Sequence, residues 1–247
     1  MFVRFHMTVL AALFATCAFA RESVVFFSAH PDDTEGFAAT AFLLKEKYDI
    51  YVADFTGGER GCGMVKFLSG WTMAKRLDEE KAALALLGAE PLYIGEVNGE
   101  SCATPRAILR MTRLLKEIRP KAVFTHWPID THDDHRNCAI AVMKAVENLQ
   151  SAPEFYFFEV LRCQTMNWHP LYSVDVTSTI EKKKELLRKY ECQNAGDSLV
   201  KEKVSQAACR GGQRVPAVAF AETFTSLSGR RIEGGVLESL AETALVR

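Results

Sequence analysis

The sequence predicts a doubly wound α/β fold, with a mostly parallel sheet and helices on both of its faces. Short apolar runs alternate with amphipathic stretches along the chain, and this alternation is typical of right-handed βαβ units. The 247 residues, of which 48% are hydrophobic and 25% charged, suffice for one large core. The sequence therefore predicts a single domain of the α/β class.

The individual elements follow from the spacing of the apolar residues. Six strands are predicted, at residues 24–29, 50–55, 92–94, 122–125, 155–160 and 172–176. Five helices are predicted, at residues 37–47, 72–87, 104–118, 134–149 and 179–190. The third helix has the clearest boundary, because Thr104 suits the N-cap and Pro105 the first turn. The last forty residues, from about Ala208, are less periodic, and we expect them to wrap over the core or the site.

The N-terminus has the pattern of a secretory signal peptide. Arg4 precedes an apolar stretch at 7–20, and Ala18-Phe19-Ala20 offers a cleavage site between small residues. The stretch is too short to span a bilayer, which takes about 20 residues. We expect cleavage after Ala20, a mature domain at 21–247 with no transmembrane span, and a secreted or periplasmic protein. Lipid attachment through Cys17 is the alternative, although the preceding residues fit it poorly.

The charge balance argues against nucleic acid as a partner. Lys and Arg number 30 against 31 Asp and Glu, for a formal net charge of -1. A chain without a basic excess has no electrostatic attraction for a polyanion. We therefore expect no nucleic-acid partner.

The cysteines permit disulfides in an oxidising compartment. Six remain after loss of the leader: Cys62, Cys102, Cys138, Cys163, Cys192 and Cys209. Their pairing does not follow from sequence, but Cys62 and Cys102 both lie in polar, glycine-containing loops and form the first pair to test. Cys138 falls within a predicted helix and is expected to be a small buried residue. Since no Cys-x-x-Cys pair occurs, a structural thiolate zinc site is not expected.

A first cluster of histidine and aspartate, His30-Pro31-Asp32-Asp33, comes directly after the first predicted strand. Pro31 restricts His30 to an extended backbone, and the turn that follows presents two carboxylates in different directions. One carboxylate can then bind a cation while the other faces a substrate. Capping of the next helix is the alternative, but it explains one carboxylate and does not explain His30.

A second cluster, His132-Asp133-Asp134-His135, follows the fourth predicted strand at the start of a helix. His132 and His135 are three positions apart and can approach a common point, and Asp134 can fix an imidazole tautomer. A surface capping region is the alternative for this cluster alone. In doubly wound sheets, ligands bind beyond the carboxyl ends of the strands. Both clusters should therefore meet at one edge, where they supply the ligands, acid and base of a metal-dependent hydrolase.

These motifs resemble the PIG-L/LmbE family of N-acetylglucosaminyl de-N-acetylases, which are zinc enzymes on a Rossmann-like fold. Residues 29–35 match the family's first motif, and residues 132–135 match its His-x-Asp-His motif. Weaker matches follow in the expected order at 56–61, at Arg76 with Glu79, at 174–193 and at 220–224. The resemblance implies an LmbE-like fold and an amino-sugar or glycoconjugate substrate.

The resemblance also implies a metal centre. His30, Asp33 and His135 would bind Zn²⁺ and leave an open coordination position, as a catalytic zinc requires. Fe²⁺ or Mn²⁺ suits two imidazoles and one carboxylate nearly as well.

Catalytic roles follow from the same resemblance. Asp32 would be the general base that takes a proton from the attacking water. His132, oriented by Asp134, would stabilise the oxyanion or protonate the departing amine, and Arg76 would hold substrate hydroxyls. No serine or cysteine nucleophile lies in a strand-to-helix elbow, so direct attack by water is expected.

Alternatives remain for the substrate and for catalysis itself. The loop after the third strand lacks the aspartate with which many relatives bind a sugar hydroxyl, so Asn98 or Glu100 would have to replace it. Trp127 could stack on a sugar ring or pack on the core, while His126 and His169 are expected to be structural or exposed rather than ligands. The other functional hypotheses are a non-catalytic carbohydrate-binding or sensing protein and a deacylase of a non-sugar amide.

Overall fold

The computed structural model describes residues 21–61, 70–161 and 163–240, without the side chains of residues 70 and 71. The predicted leader at 1–20 and Cys62 lie outside the described residues. Among the residues that are described, no helix is long and apolar enough to cross a membrane.

Within the described residues, seven strands form one mixed, mostly parallel sheet. Their bounds are β1 Ser23–Ser28, β2 Asp49–Thr56, β3 Pro91–Glu96, β4 Ala122–His126, β5 Glu154–Phe158, β6 Tyr172–Asp175 and β7 Ala221–Ser226. The order across the sheet is β3-β2-β1-β4-β5-β7-β6. Strands β1 to β5 pair in parallel, whereas β7 runs antiparallel to both β5 and β6. The predicted fold class is confirmed.

Helices cover both faces of the sheet. Their bounds are α1 Ala38–Leu44, α2 Gly70–Leu84, α3 Pro105–Ile118, α4 Asp133–Glu147, α5 Ile180–Leu187 and α6 Ser198–Gly212. Buried residues of α1, α2, α5 and α6 pack with one face of the sheet, and those of α3 and α4 pack with the other. The central strands are therefore apolar on both sides: Val24 and Phe26 of β1 enter one core, Val25 and Phe27 the other.

The sheet order places the ends of β1 and β4 side by side. β1 pairs with β4 through Val24–Ala122 and Phe26–Phe124, although β2 and β3 come between them in the chain. Strands β2 and β3 extend the sheet on one side of β1, whereas β4 and the later strands extend it on the other side. Such a reversal opens a crevice at the carboxyl ends of the two strands, where ligands of this fold class bind.

The C-terminal part is more regular than the sequence analysis expected. β7 inserts into the sheet, and all six of its residues are buried, although four of the six are Glu, Thr or Ser. Helix α6 was also not predicted, because two charged residues, Lys203 and Arg210, interrupt the apolar residues on its inward side. After β7, Val236, Leu237 and Leu240 return to the core.

The cysteines differ from the expected pairing. Cys102 is a free, exposed thiol, whereas Cys192 is disulfide-bonded. The pairing of Cys62 with Cys102 is therefore wrong. Cys138 is free and fully buried, as expected for a small residue on the inner side of α4.

Candidate active site and metal centre

The turn after β1 is organised around the carboxylate of Asp33. Its Oδ2 accepts hydrogen bonds from the backbone N–H groups of Ala29 at 3.1 Å and His30 at 2.8 Å. The preceding residue, Asp32, has a φ of 132°, a region that residues with a side chain rarely adopt. The backbone is therefore strained at Asp32, and the neighbouring carboxylates of Asp32 and Asp33 contact different partners.

Three imidazoles surround the Asp33 carboxylate. His30 Nδ1 lies 3.2 Å from Oδ2, His126 Nε2 lies 3.3 Å from Oδ2, and His135 Nε2 lies 3.5 Å from Oδ1. Although burial opposes ionisation, His135, His126 and His30 hold the pKa of Asp33 well below its usual range. The structure therefore brings the first and second clusters together around one ionised carboxylate.

His30, Asp33 and His135 form a group that suits a divalent cation. One potential ligand atom from each lies within 4.8 Å of the others, and each residue is at most 7% exposed. Burial opposes protonation, but Asp33 and a second carboxylate raise the pKa of His30 to about 9 and that of His135 to about 10. The pocket thus favours positive charge, and two imidazoles with a carboxylate are the donor set of many catalytic zinc sites.

A second group, His30, His132 and Asp134, also lies within 4.8 Å. Its carboxylate is already occupied, because Asp134 accepts hydrogen bonds from Asn98 Nδ2 at 2.8 Å, Gly99 N at 2.7 Å and Ser101 Oγ at 2.7 Å. His30 Nε2 is a fourth partner at 3.0 Å. These donors satisfy the charge of Asp134, so the group around Asp33 is the better metal centre.

Asp130, in the loop between β4 and α4, was not among the predicted site residues. Its Oδ1 lies 3.2 Å from His135 Nδ1 and accepts the His132 backbone N–H at 2.8 Å, while its Oδ2 accepts from Thr165 Oγ1 at 3.1 Å. A carboxylate on the far nitrogen of a metal-binding histidine fixes the ring and its tautomer. The sequence signal that could have identified Asp130 is its position, two residues before His132.

His126, at the end of β4, is fully buried in the site and belongs to neither metal group. Its ring stacks on that of His135 with centroids 4.3 Å apart, and its Nε2 accepts the Ala29 N–H at 2.8 Å. Burial, with the neighbouring His135, lowers the pKa of His126 to about 4. A neutral His126 thus joins the ends of β1 and β4.

Arg76 is the residue predicted to hold substrate hydroxyls. Its guanidinium forms an ion pair with Asp32, the candidate general base. Its guanidinium is 5% exposed and donates to the Asp32 carboxylate, to the Pro31 carbonyl and to the Gly61 carbonyl at 3.1 Å. Burial raises the pKa of Asp32, and Arg76 opposes part of that rise. The observed contacts use most of the Arg76 donors within the protein, and contact with substrate stays a prediction.

His132 and Asp134 meet differently from the predicted arrangement. The backbone N–H of Asp134 donates to His132 Nδ1 at 3.2 Å, while the Asp134 carboxylate holds His30 and the loop after β3. His132 is half-buried, and burial together with His30 and His135 lowers its pKa. Orientation of His132 therefore comes from the Asp134 backbone in this structure.

The sequence offered Asn98 and Glu100 as substitutes for a sugar-binding aspartate. Asn98 is buried, and its amide donates to Asp134 and accepts the Arg60 N–H at 3.2 Å. Glu100 is exposed and pairs with Arg60. Trp127 packs edge-on against Phe157 of the core with centroids 5.3 Å apart. Of the two proposed substitutes, only Glu100 is exposed, and its carboxylate is already paired with Arg60.

These features define an α/β protein with a candidate metal centre at the switch point of its sheet. Residues 25–146 match the family model described as PIG-L, GlcNAc-PI de-N-acetylase. This stretch of the chain is therefore similar to a PIG-L domain, and the resemblance inferred from the two histidine motifs is confirmed.

One relative of this chain has the name of a hydratase rather than of a deacetylase. The 4-oxalmesaconate hydratase of Pseudomonas putida is 25% identical over 182 residues, which cover 66% of this chain and 70% of the relative.

Two solved structures share the fold. The N,N'-diacetylchitobiose deacetylase of Pyrococcus horikoshii superposes with a TM-score of 0.73 at 21% identity over 84% of each chain. The 4-carboxy-2-hydroxymuconate hydratase of Pseudomonas putida gives a TM-score of 0.74 at 23% identity over 86% of this chain and 99% of the other.

We predict that Asp130→Asn weakens metal binding without unfolding the protein. Asparagine keeps the shape of Asp130 but loses the charge that holds the His135 ring, and such changes typically cost about 10–100-fold in metal affinity. Competition with a chromophoric chelator measures the effect. The matched control is Asp133→Asn, an exposed carboxylate paired with Arg136 on the same helix end. Equal zinc affinities for D130N and D133N would contradict the role assigned to Asp130.

Proposed function

We propose that this protein is a zinc-dependent hydrolase that removes the acetyl group from an N-acetylglucosamine-type sugar or glycoconjugate. The observation that carries the proposal is the meeting of His30, Asp33 and His135 beside the Asp32 carboxylate, within the stretch that is similar to a PIG-L domain. Fe²⁺ and Mn²⁺ fit the same donors, and zinc is chosen because these buried ligands resemble those of catalytic zinc sites.

An amide resists hydrolysis because its carbonyl is weakly electrophilic and its nitrogen leaves poorly. When bound by His30, Asp33 and His135, the metal would polarise the carbonyl and make water acidic. The side chains around the centre then have to move two protons, one from the water and one to the amine.

Asp32 is the candidate that would take the proton from water. Its side chain is 17% exposed, whereas that of Asp33 is 6% exposed, so Asp32 is the more accessible of the two carboxylates. Burial raises its pKa, which makes the carboxylate a stronger base than a solvated aspartate. Arg76 holds one of its oxygens, so the other can be presented to water in a fixed direction.

His132 is placed to give a proton or a hydrogen bond. Its Nδ1 accepts the Asp134 backbone N–H, so a neutral ring carries its proton on Nε2. That N–H can bind the developing oxyanion. To protonate the leaving amine, the ring would first have to take up a proton on Nδ1 and give up the hydrogen bond from Asp134.

The choice of substrate rests on the family description and on the chitobiose deacetylase that shares the fold. The hydratase relative supports a second candidate, in which an activated water adds to a carbon–carbon double bond of a small acid. Both reactions can use a metal-activated water and a base, and they differ in product: only deacetylation releases acetate and a free amine. A protein that binds carbohydrate without catalysis is disfavoured, because metal ligands, base and acid candidates are all assembled.

We predict that the purified protein releases acetate from N-acetylglucosamine derivatives, including the disaccharide N,N'-diacetylchitobiose, only when metal is present. Dialysis against a chelator should abolish release, and stoichiometric zinc should restore it. Acetate and free amine are measured in parallel. Full activity after complete removal of metal would contradict the metal-dependent mechanism, while hydration of an unsaturated dicarboxylate in place of acetate release would favour the second candidate.

Replacing Asp32 with asparagine should separate catalysis from metal binding. The amide side chain of the D32N variant would keep a hydrogen bond from Arg76 but could not accept a proton, so kcat should fall by about 10²–10⁴-fold. Zinc content should remain near that of the unchanged protein, because Asp32 is not in the proposed ligand set. A D32N variant with unchanged kcat would remove Asp32 from the mechanism.

We also propose export with removal of residues 1–20. The N-terminal pattern supports it, and so does the disulfide at Cys192, since disulfides persist in oxidising compartments. Expression of the full chain in a secreting bacterium should yield a protein whose intact mass begins at Arg21. A mature protein that retains Met1 would contradict this proposal.

A further inference from the structure

Helix α6 directs charged side chains inward, towards the ends of strands β1 and β5. The Lys203 side chain is 3% exposed and that of Arg210 is 15% exposed. Buried cations are unusual, because removing a charge from water is costly unless a partner compensates. The helix lies outside residues 25–146, which the family model covers. The buried charges of Lys203 and Arg210 therefore need compensating partners within this chain.

Lys203 joins the metal-binding turn to the chain after β5. Its Nζ lies 2.5 Å from Glu35 Oε1 and donates to the Val160 carbonyl at 2.9 Å. Glu35 belongs to the 3-10 turn Asp33–Gly36, which begins with the proposed metal ligand. One ammonium group thus fixes this turn against the segment that follows β5.

Two further side chains of α6 hold the same segment. Arg210 donates to both oxygens of Glu159, with distances of 2.9 Å and 2.5 Å, and Gln206 donates to the Val160 carbonyl at 3.3 Å. The turn also packs tightly there, since a Cβ added at Gly36 would lie 2.8 Å from the Phe158 ring and 2.9 Å from the Glu159 carbonyl. A shift of this segment would therefore displace the metal-binding turn.

We propose that Lys203 and Glu35 are positioning residues, which hold the Asp33 turn in the geometry that metal binding requires. A 3-10 turn of four residues has little stability of its own, and Asp32 adds strain at its start. Ligand carboxylates must be held to within a fraction of an ångström to bind a metal well. The Lys203–Glu35 contact supplies that restraint at Glu35, in addition to the Arg76 contact at Asp32.

The alternative is that Lys203 and Glu35 only stabilise the fold. A second buried ion pair serves as a control that distinguishes the two roles. Lys183 Nζ lies 2.7 Å from Glu222 Oε1, with side-chain exposures of 3% and 4%. Glu222 accepts the N–H groups of Ala39 and Thr40 in α1, so this pair supports a helix rather than the Asp33 turn. Its removal should cost stability without changing the metal geometry.

The experiment compares the double variants Glu35→Gln/Lys203→Met and Lys183→Met/Glu222→Gln in the full mature chain. Removing both partners of each pair leaves no uncompensated buried charge. Zinc affinity is measured by chelator competition, and folding by circular dichroism and thermal melting. We expect E35Q/K203M to bind zinc about 10-fold more weakly, while K183M/E222Q stays within about twofold of the unchanged protein despite a similar drop in Tm.

Unchanged zinc affinity in folded E35Q/K203M would overturn the proposal, and so would an equal loss of affinity in both double variants. If E35Q/K203M does not fold, Glu35→Asp replaces it, because it keeps the charge but withdraws the carboxylate by one methylene. A several-fold weaker zinc affinity is then expected, and an unchanged affinity overturns the proposal.

The activity measurement rests on the proposed function, whereas zinc affinity does not depend on the substrate. Where acetate release is found, E35Q/K203M should lower kcat with little change in KM, since both side chains are buried and are bonded to other parts of the protein. An unchanged protein that binds zinc but releases no acetate would refute deacetylation and leave the positioning role to be decided by the affinities.

Discussion

A negative charge held in a buried pocket is the constraint on which this site depends. Asp33 stays ionised because two backbone N–H groups and three imidazoles surround its carboxylate. An isolated buried carboxylate would instead take up a proton. Because neighbouring carboxylates raise the pKa of His30 and of His135, these two rings favour positive charge, and the pocket suits a cation that can replace their protons. Most neighbouring features serve to hold these groups in place.

The sheet topology explains why residues far apart in sequence share this pocket. His30 and Asp134 are 104 positions apart in the chain, yet their side chains are in contact at 3.0 Å. Adjacent parallel strands end at one edge, and the polar loops after β1 and β4 therefore converge there. Remote elements then support the turn: α2 contributes Arg76, and α6 contributes Lys203.

Sequence reasoning was effective where pattern and chemistry are local. The apolar strands and the two histidine motifs predicted the fold class, and the structure brings the motifs together at the predicted edge. It was weaker where partners come from elsewhere in the chain. Burial of β7 depends on pairing with both β5 and β6, and the inward face of α6 is charged because Glu35 and Glu159 lie opposite it. Similarly, nothing near Asp134 in sequence indicated that Asn98, Gly99 and Ser101 would occupy its carboxylate.

The central claim is that one cation binds between the two histidine motifs, at Asp33. A crystal structure of the zinc-loaded protein, with anomalous scattering recorded at the zinc edge, tests this most directly. We expect one strong anomalous peak about 2.0–2.2 Å from nitrogen atoms of His30 and His135 and an oxygen of Asp33. A peak held instead by His132 and Asp134, or no peak in a protein saturated with zinc, would contradict it.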